Sequence, residues 1–335
     1  EPASGALRRV GVVAGIEDPT YLALSRRRPL LYAVQGMAQY GSRDRHGAVA
    51  VYRIDGANLT LLDHRPVGVT VPCHIALSPD ERLLAFAEYS HAVAGVFELA
   101  ADGTFADRPP ATVRHSGSGP DPSRQESAHA HCVAFTPDGR RLCVADLGID
   151  RVLAYNPAAR GGGLQADAAL TIASAGGAGP RHLVFHPSGR FAFLLHELDN
   201  TLTAFRFTGE AFVPLQTLST IPEGFTAFSK ASALKLTADG RRLLASNRGH
   251  DSIAAFAVDP ASGRLDPLAI SPLAGAFPRD FAFFPGEAFV LVGHEKSDTV
   301  CTYAFDAASG RLTPAAAAPV AIHRPVCTLF GENQV

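Results

Sequence analysis

Two recurring sets of positions hold the residues able to do chemistry. Just ahead of short apolar runs stand Thr20, Cys73, His131, Arg181, Ser232, Arg279 and Val326. At the ends of the apolar runs that follow stand Gln35, Glu88, Asp146, His196 with Glu197, Asn247 with Arg248, and His294 with Glu295. Simple structural repetition would put similar residues at equivalent positions, yet the first set mixes an imidazole and two guanidiniums with small residues. Histidine titrates near neutrality and arginine keeps its charge, so such sets suit acid–base work on an anionic substrate. The richest stretch is the polar segment 115–131, which ends Arg124-Gln-Glu-Ser-Ala-His-Ala-His131. His129 and His131 lie two apart, so on extended chain both point the same way. Arginines beside a metal ion are electrostatically costly, so acid–base or anion-binding roles are favoured over a metal pair.

Other chemistries are excluded by spacing. Gly176-Gly-Ala-Gly-Pro-Arg-His182 lacks the G-x-G-x-x-G pattern and is not followed by Lys-Ser or Lys-Thr, so it is neither a dinucleotide fingerprint nor a Walker loop. Its expected role is to bring Arg181 and backbone donors close to a ligand. No G-x-S-x-G or H-E-x-x-H occurs. Cys73, Cys132, Cys143, Cys301 and Cys327 include no C-x-x-C pair. They read as small core residues of a reduced, cytoplasmic protein. The balance of 30 Lys plus Arg against 32 Asp plus Glu provides no footprint for nucleic acid or a membrane surface. No apolar run is long enough to span a bilayer. The absence of Trp excludes a propeller built on Trp-Asp repeats.

The elements that position these residues repeat with them. Pro72-Cys-His-Ile-Ala-Leu-Ser-Pro-Asp80, Ala130-His-Cys-Val-Ala-Phe-Thr-Pro-Asp-Gly139 and Pro180-Arg-His-Leu-Val-Phe-His-Pro-Ser-Gly189 are three copies of one pattern. Each copy is a short apolar alternation, a turn rich in Pro, Asp and Gly, and then further apolar runs. Runs of four to eight residues bounded by turn formers are strands. Four strands at a period of about 50 residues make a β-propeller blade. The sequence therefore predicts an all-β, seven-bladed β-propeller of four-stranded antiparallel blades as a single domain over 1–335. Full repeats are expected at about 19–70, 72–125, 129–175, 180–220, 230–272 and 278–318. The closing blade would join strands at 326–330 and 4–13, with about 25 residues of chain expected upstream from the repeat length.

Five motifs then carry a resemblance. They are Arg124–His131, Ala145-Asp-Leu-Gly-Ile-Asp-Arg151, Gly179-Pro-Arg-His-Leu-Val-Phe-His-Pro187, His196-Glu-Leu198 and Ser246-Asn-Arg-Gly-His-Asp-Ser-Ile253. In this order and spacing they resemble the seven-bladed propeller lactonase family, which includes 6-phosphogluconolactonases and carboxymuconate cyclases. The resemblance implies a catalytic His at His131, with His129 as the alternative, together with Arg181, Glu197 and Arg248. Gln125, His129, Asp146, His182, Asn247 and Arg279 are expected to bind substrate. Gln35 departs from the acidic residue of many relatives.

The implied reaction is hydrolysis of an anionic sugar lactone, above all 6-phospho-D-glucono-1,5-lactone. His131 would activate water, one arginine would stabilise the oxyanion, and the other would hold the substrate's anionic group. Glu197 would either orient an arginine or donate the proton. The alternatives are a carboxymuconate lactonising enzyme, a metal-dependent sugar lactonase using Glu88, Asp146, Glu197 and Asn247, and a non-catalytic binding propeller. No cofactor or metal is expected, and a self-closing fold implies a monomer.

Overall fold

A computed structural model describes residues 1, 4–37, 46–157 and 163–331. Among them lie six antiparallel sheets, each a meander of consecutive strands. The first strands are Leu22–Leu24, His74–Leu77, Ala130–Phe135, Pro180–Phe185, Lys230–Leu236 and Pro278–Phe283. They pair with Leu30–Met37, Leu83–Glu88, Leu142–Asp146, Phe191–His196, Arg242–Arg248 and Phe289–His294. The third strands are His46–Asp55, Val93–Glu98, Arg151–Asn156, Thr201–Phe207, Ser252–Val258 and Thr299–Asp306. Four-stranded antiparallel blades are thus the building unit, as the repeats predict. Contacts group the sheets into two compact units, one over Arg9–Gly177, the other starting at Ala178 and taking in Glu1–Arg8.

Burial explains the apolar pattern. Phe191–His196 is buried at every position, and Phe191, Phe193 and Leu195 pack in one cluster with Leu243 and Phe256 of the fifth sheet. The fourth strand Asn58–Pro66 alternates between exposed and half-buried, as expected at a sheet's outer edge. Core clusters fill the gaps between consecutive sheets. Phe193, Leu202, Leu243 and Phe256 pack between the fourth and fifth sheets, and Phe281, Val290 and Tyr303 between the fifth and sixth. In the other unit Tyr32, Phe86 and Phe97 join the first two sheets, and Val133, Leu142 and Tyr155 belong to the cluster of the next pair.

The Pro/Asp/Gly turns repeat one hydrogen-bond device. Thr136 Oγ1 donates to Asp138 Oδ1 at 2.6 Å, and that carboxylate accepts from the Arg140 N–H at 3.0 Å. Thr237 with Asp239 and Arg241 does the same. Such side-chain to backbone bonds reverse the chain between first and second strands.

Glu88, Asp146, His196, Arg248 and His294 end the second strands as terminal rungs of their ladders, where the repeats place them. One expectation needs correction. The segments 4–13 and 326–330 are not strands, because neither has a ladder neighbour among the described residues. Residues 326–330 lie instead beside the sixth sheet. There the Thr328 N–H donates to Asp280 Oδ2 at 2.7 Å, and Phe330 packs on Phe284 at 4.5 Å. Thr302 Oγ1 donates to the Gly5 carbonyl at 2.9 Å. A Cβ at Gly5, whose φ is +68°, would meet the Phe289 ring at 2.9 Å.

His294 makes the fold acid-sensitive. Burial pushes its imidazole down from 6.5 to about 4, against the raising influence of Asp251. The unfolded chain therefore binds the proton more readily, and the stabilising difference present above pH 6.5 is lost as pH falls towards 4. Equilibrium urea unfolding at stepped pH should show this fall. His294→Gln should flatten it, and an unchanged slope in the variant would remove His294 as its cause.

Candidate active site

The backbone prepares the site by interrupting its own ladders. In the fourth sheet Pro180 pairs with His196 and His182 with Leu195, so Arg181 is the extra residue of a bulge. In the sixth, Pro278 pairs with His294 and Asp280 with Gly293, which leaves Arg279 as the extra residue. In the third, Ala130 pairs with Asp146 and Cys132 with Ala145, so His131 is the extra residue. The fifth sheet skips Ser232 and Ala233 between Ala231 and Leu234. A bulge re-aims a side chain away from the strict alternation of a strand. The first set of positions in the sequence is thus largely the set of bulged residues.

In the unit that starts at Ala178, two arginines converge on one carboxylate. Arg181 Nε donates to Glu197 Oε2 at 2.9 Å, and Arg248 Nη2 lies 2.8 Å from the same oxygen. All three are nearly sealed from solvent, at 3%, 2% and 6% exposure. Arg181 Nη1 also donates to the Ser232 carbonyl at 2.5 Å and to His182 Nε2 at 2.9 Å. A guanidinium can only donate, so His182 presents a lone pair at Nε2. Arg248 Nη2 donates to the Ala231 carbonyl at 3.2 Å.

Burial pushes Arg181 down from 12.5 to about 10, helped by the charges of Arg248 and Arg279 and opposed by Glu197. It remains cationic at neutral pH. The Gly176–Gly179 turn contributes differently from expectation, since the Gly179 carbonyl accepts the Glu197 N–H at 2.7 Å. Arg279 belongs to a second, more open pairing. It lies 3.4 Å from Glu295 Oε2, while Arg324 Nη2 donates to Glu295 Oε1 at 2.8 Å. Each carboxylate thus faces two guanidiniums, and each group keeps one positive charge in excess.

In the other unit the histidines are organised by Tyr89. Its ring stacks on His129 at 4.2 Å and meets His131 edge-on at 5.9 Å. His129 Nδ1 lies 3.0 Å from the Tyr89 carbonyl and Nε2 lies 3.1 Å from Glu126 Oε1. Both nitrogens of His129 therefore face acceptors, which suits a positioning residue better than a base. Beneath them Asp146 is fully buried. Its Oδ1 accepts from the N–H groups of His129 (2.7 Å) and Gly148 (2.9 Å), and its Oδ2 lies 2.7 Å from His115 Nδ1. Tyr155 OH completes the chain at 2.9 Å from His115 Nε2.

Three residues expected to bind substrate are thus engaged by the chain itself. Asp146 holds the His129 backbone. Gln125 donates to the Leu147 carbonyl and to Asp150 Oδ1, both at 2.8 Å, which ties down the 115–131 segment. Asn247 donates to the Thr220 carbonyl at 2.8 Å and accepts from Thr220 Oγ1 at 2.6 Å. Glu88 accepts the Ser90 and His91 N–H groups, at 2.9 and 2.8 Å, and the Thr70 hydroxyl. The proposed oxygen-ligand set is accordingly committed to backbone and side-chain donors. Among the described residues no group of three or more His, Cys, Asp or Glu is placed to hold a metal ion. All five cysteines are free, and burial pushes Cys143 up to about 12. Tyr89 and His115 are contributors that sequence reasoning did not single out. Tyr89 directly follows Glu88 and His115 opens the long polar segment, which are the only signals they give.

A family model described as Lactonase, 7-bladed beta-propeller matches residues 1–330. The chain belongs to this family. It is 35% identical over 296 residues to 6-phosphogluconolactonase of Bacillus subtilis (strain 168), across 87% of this chain and 81% of that protein. The periplasmic gluconolactonase PpgL of Pseudomonas aeruginosa has a similar structure, with a TM-score of 0.86 and 35% identity over 94% of this chain and 88% of that one. A protein of Lactobacillus plantarum gives 0.83 and 37% over 95% and 89%. The family description counts seven blades, and among the described residues of this lactonase-family chain there are six sheets, four of four strands and two of five.

One glycine of this family member is required by close approach. A Cβ on Gly148 would run into the Ser127 carbonyl and stand 2.9 Å from His129 N. Gly148→Ala should therefore displace the 127–129 backbone, cost about 1–3 kcal/mol and slow lactone opening. Urea unfolding and an activity assay check this. A variant equal to wild type in both would show that the loop yields freely.

Proposed function

We propose that this chain is a hydrolase that opens an anionic sugar lactone, with 6-phospho-D-glucono-1,5-lactone as substrate and 6-phosphogluconate as product. The observation that carries this reading is the pair of buried guanidiniums, Arg181 and Arg248, fixed on Glu197. Preorganised cationic donors stabilise the oxyanion that forms when water attacks the lactone carbonyl, and need no rearrangement as charge develops. The similarity to the B. subtilis 6-phosphogluconolactonase supports the substrate class.

In the proposed reaction a base takes a proton from water as its oxygen bonds to the carbonyl carbon. The tetrahedral oxyanion collapses, the bond from that carbon to the ring oxygen breaks, and the ring oxygen leaves with a proton. His131 is assigned the base role from the family motif and from its imidazole chemistry. Glu197, whose Oε2 already accepts from both arginines, acts as the positioning residue rather than the proton donor. The protein is read as a cytoplasmic monomer, in keeping with five free thiols. Cell fractionation tests that compartment against the periplasmic location named for PpgL.

The decisive experiment is a substrate panel of phosphogluconolactone, gluconolactone and carboxymuconate, run with wild type and His131→Ala. Acceleration of phosphogluconolactone opening over its spontaneous rate, lost in the variant, is expected. No acceleration would refute the substrate, turnover of carboxymuconate alone would reassign the enzyme as a cyclase, and full activity in His131→Ala would refute the base.

A further inference from the structure

Phe277 is held in a conformation that an aromatic residue rarely adopts. Its φ is +65°, in the left-handed region, where a bulky non-glycine residue is strained. The strain is locked in from both sides. The Phe277 N–H donates to Asp251 Oδ1 at 2.8 Å, and its carbonyl accepts the Glu295 N–H at 3.0 Å. The ring is thereby presented to two cations. Lys296 Nζ lies 3.9 Å from its centroid and the Arg248 guanidinium carbon 5.5 Å. Phe228 stacks parallel to it at 6.3 Å and is 58% exposed. Lys296 is exposed and forms no ion pair among the described residues, so its ammonium is steadied by an aromatic face rather than neutralised by a carboxylate. The next residue in sequence after Phe277 and Pro278 is Arg279, re-aimed by its bulge and sharing Glu295 with Arg324.

We propose that Arg279 and Lys296, the latter held against Phe277, form a subsite for a phosphate monoester on the substrate, adjoining the Arg181–Glu197–Arg248 group that handles the reacting carbonyl. The chemistry fits a dianion. One charge comes from an arginine already half-satisfied by Glu295, and the other from a lysine whose three donors are left for a ligand. The exposed Phe228 and the half-buried Phe277 would cover the apolar face of the carbon chain between phosphate and lactone. Strain at Phe277 then has a use, since it fixes the lysine before substrate arrives and so reduces the ordering cost of binding.

This inference rests on the lactonase reading above and deepens it to substrate selection. The test compares Lys296→Met with wild type on phosphogluconolactone and gluconolactone. The ratio of kcat/KM between the phosphorylated and unphosphorylated lactones should fall about 10- to 100-fold, the worth of one charge-assisted hydrogen-bond donor. Phe277→Leu, which removes the aromatic face, should lower the ratio in the same direction by less. An unchanged ratio in Lys296→Met overturns the subsite. Calorimetric titration with 6-phosphogluconate and with gluconate separates this from the reaction itself. If wild type opens neither lactone yet binds the phosphorylated acid in a Lys296-dependent way, the subsite stands and the hydrolase reading falls. If neither acid is distinguished, the subsite falls.

Discussion

Glu197→Ala is expected to lower the unfolding free energy by about 3–5 kcal/mol, the cost of leaving a buried charge without its partner. The reason is numerical. Glu197 is the one carboxylate bonded to both Arg181 and Arg248, and all three side chains are almost entirely buried. Removing either arginine still leaves a neutral pair, whereas removing the carboxylate leaves two like charges facing each other in a dry interior. Arg181 already carries the signature of that repulsion, since Arg248 and Arg279 both help to lower it. Glu197→Gln keeps the shape and can still accept hydrogen bonds, so it should lose less stability than Glu197→Ala while remaining below wild type. Equilibrium urea unfolding followed by near-UV absorption of the seven tyrosines measures both variants. A Glu197→Ala midpoint equal to that of wild type would mean that the arginines find other partners, and the cluster would lose its claim to be preorganised.

The parts of this cluster that sequence reasoning reached were those with local signals. Glu197 and Arg248 end apolar runs in equivalent repeats, and a polar residue recurring at such a place stands out against the core pattern. The repeat also predicts the four-stranded sheets, because turn chemistry such as Thr136 with Asp138 recurs in register with it. The bulges were not legible. An extra residue at Arg181 or His131 alters hydrogen-bond register without altering the alternation of side-chain types. The partners of His115 were hidden for another reason. It meets Asp146 across 31 positions and Tyr155 across 40, and strand periodicity carries no information at that range. Asp146, Gln125 and Asn247 read as ligand-binding because their types suit it, but only their burial reveals that the backbone uses them. The strand pattern at 326–330 shows the converse failure, since local alternation supplies propensity while a strand also needs a neighbour to pair with.

Arg181→Ala should reduce kcat for lactone opening roughly 100- to 1000-fold, the typical cost of losing one oxyanion donor. Its fold should survive better than that of Glu197→Ala, because Glu197 keeps Arg248 at 2.8 Å. Arg181→Lys should not restore the rate. The guanidinium reaches Glu197 through Nε while Nη1 reaches Ser232 and His182, and a lysine has one nitrogen to cover all of these directions. The loss should fall on kcat more than on KM, since an interaction made to charge that develops only in the transition state does little for ground-state binding. Arg248→Ala and the double variant complete the argument. If both arginines act on one oxyanion through their shared carboxylate, the double variant should cost clearly less than the product of the two single losses. Strictly multiplicative losses would mean that the two arginines serve different parts of the substrate. Arg181→Ala with kcat within about threefold of wild type, far from the loss expected for an oxyanion donor, would remove the arginine pair from the chemistry altogether.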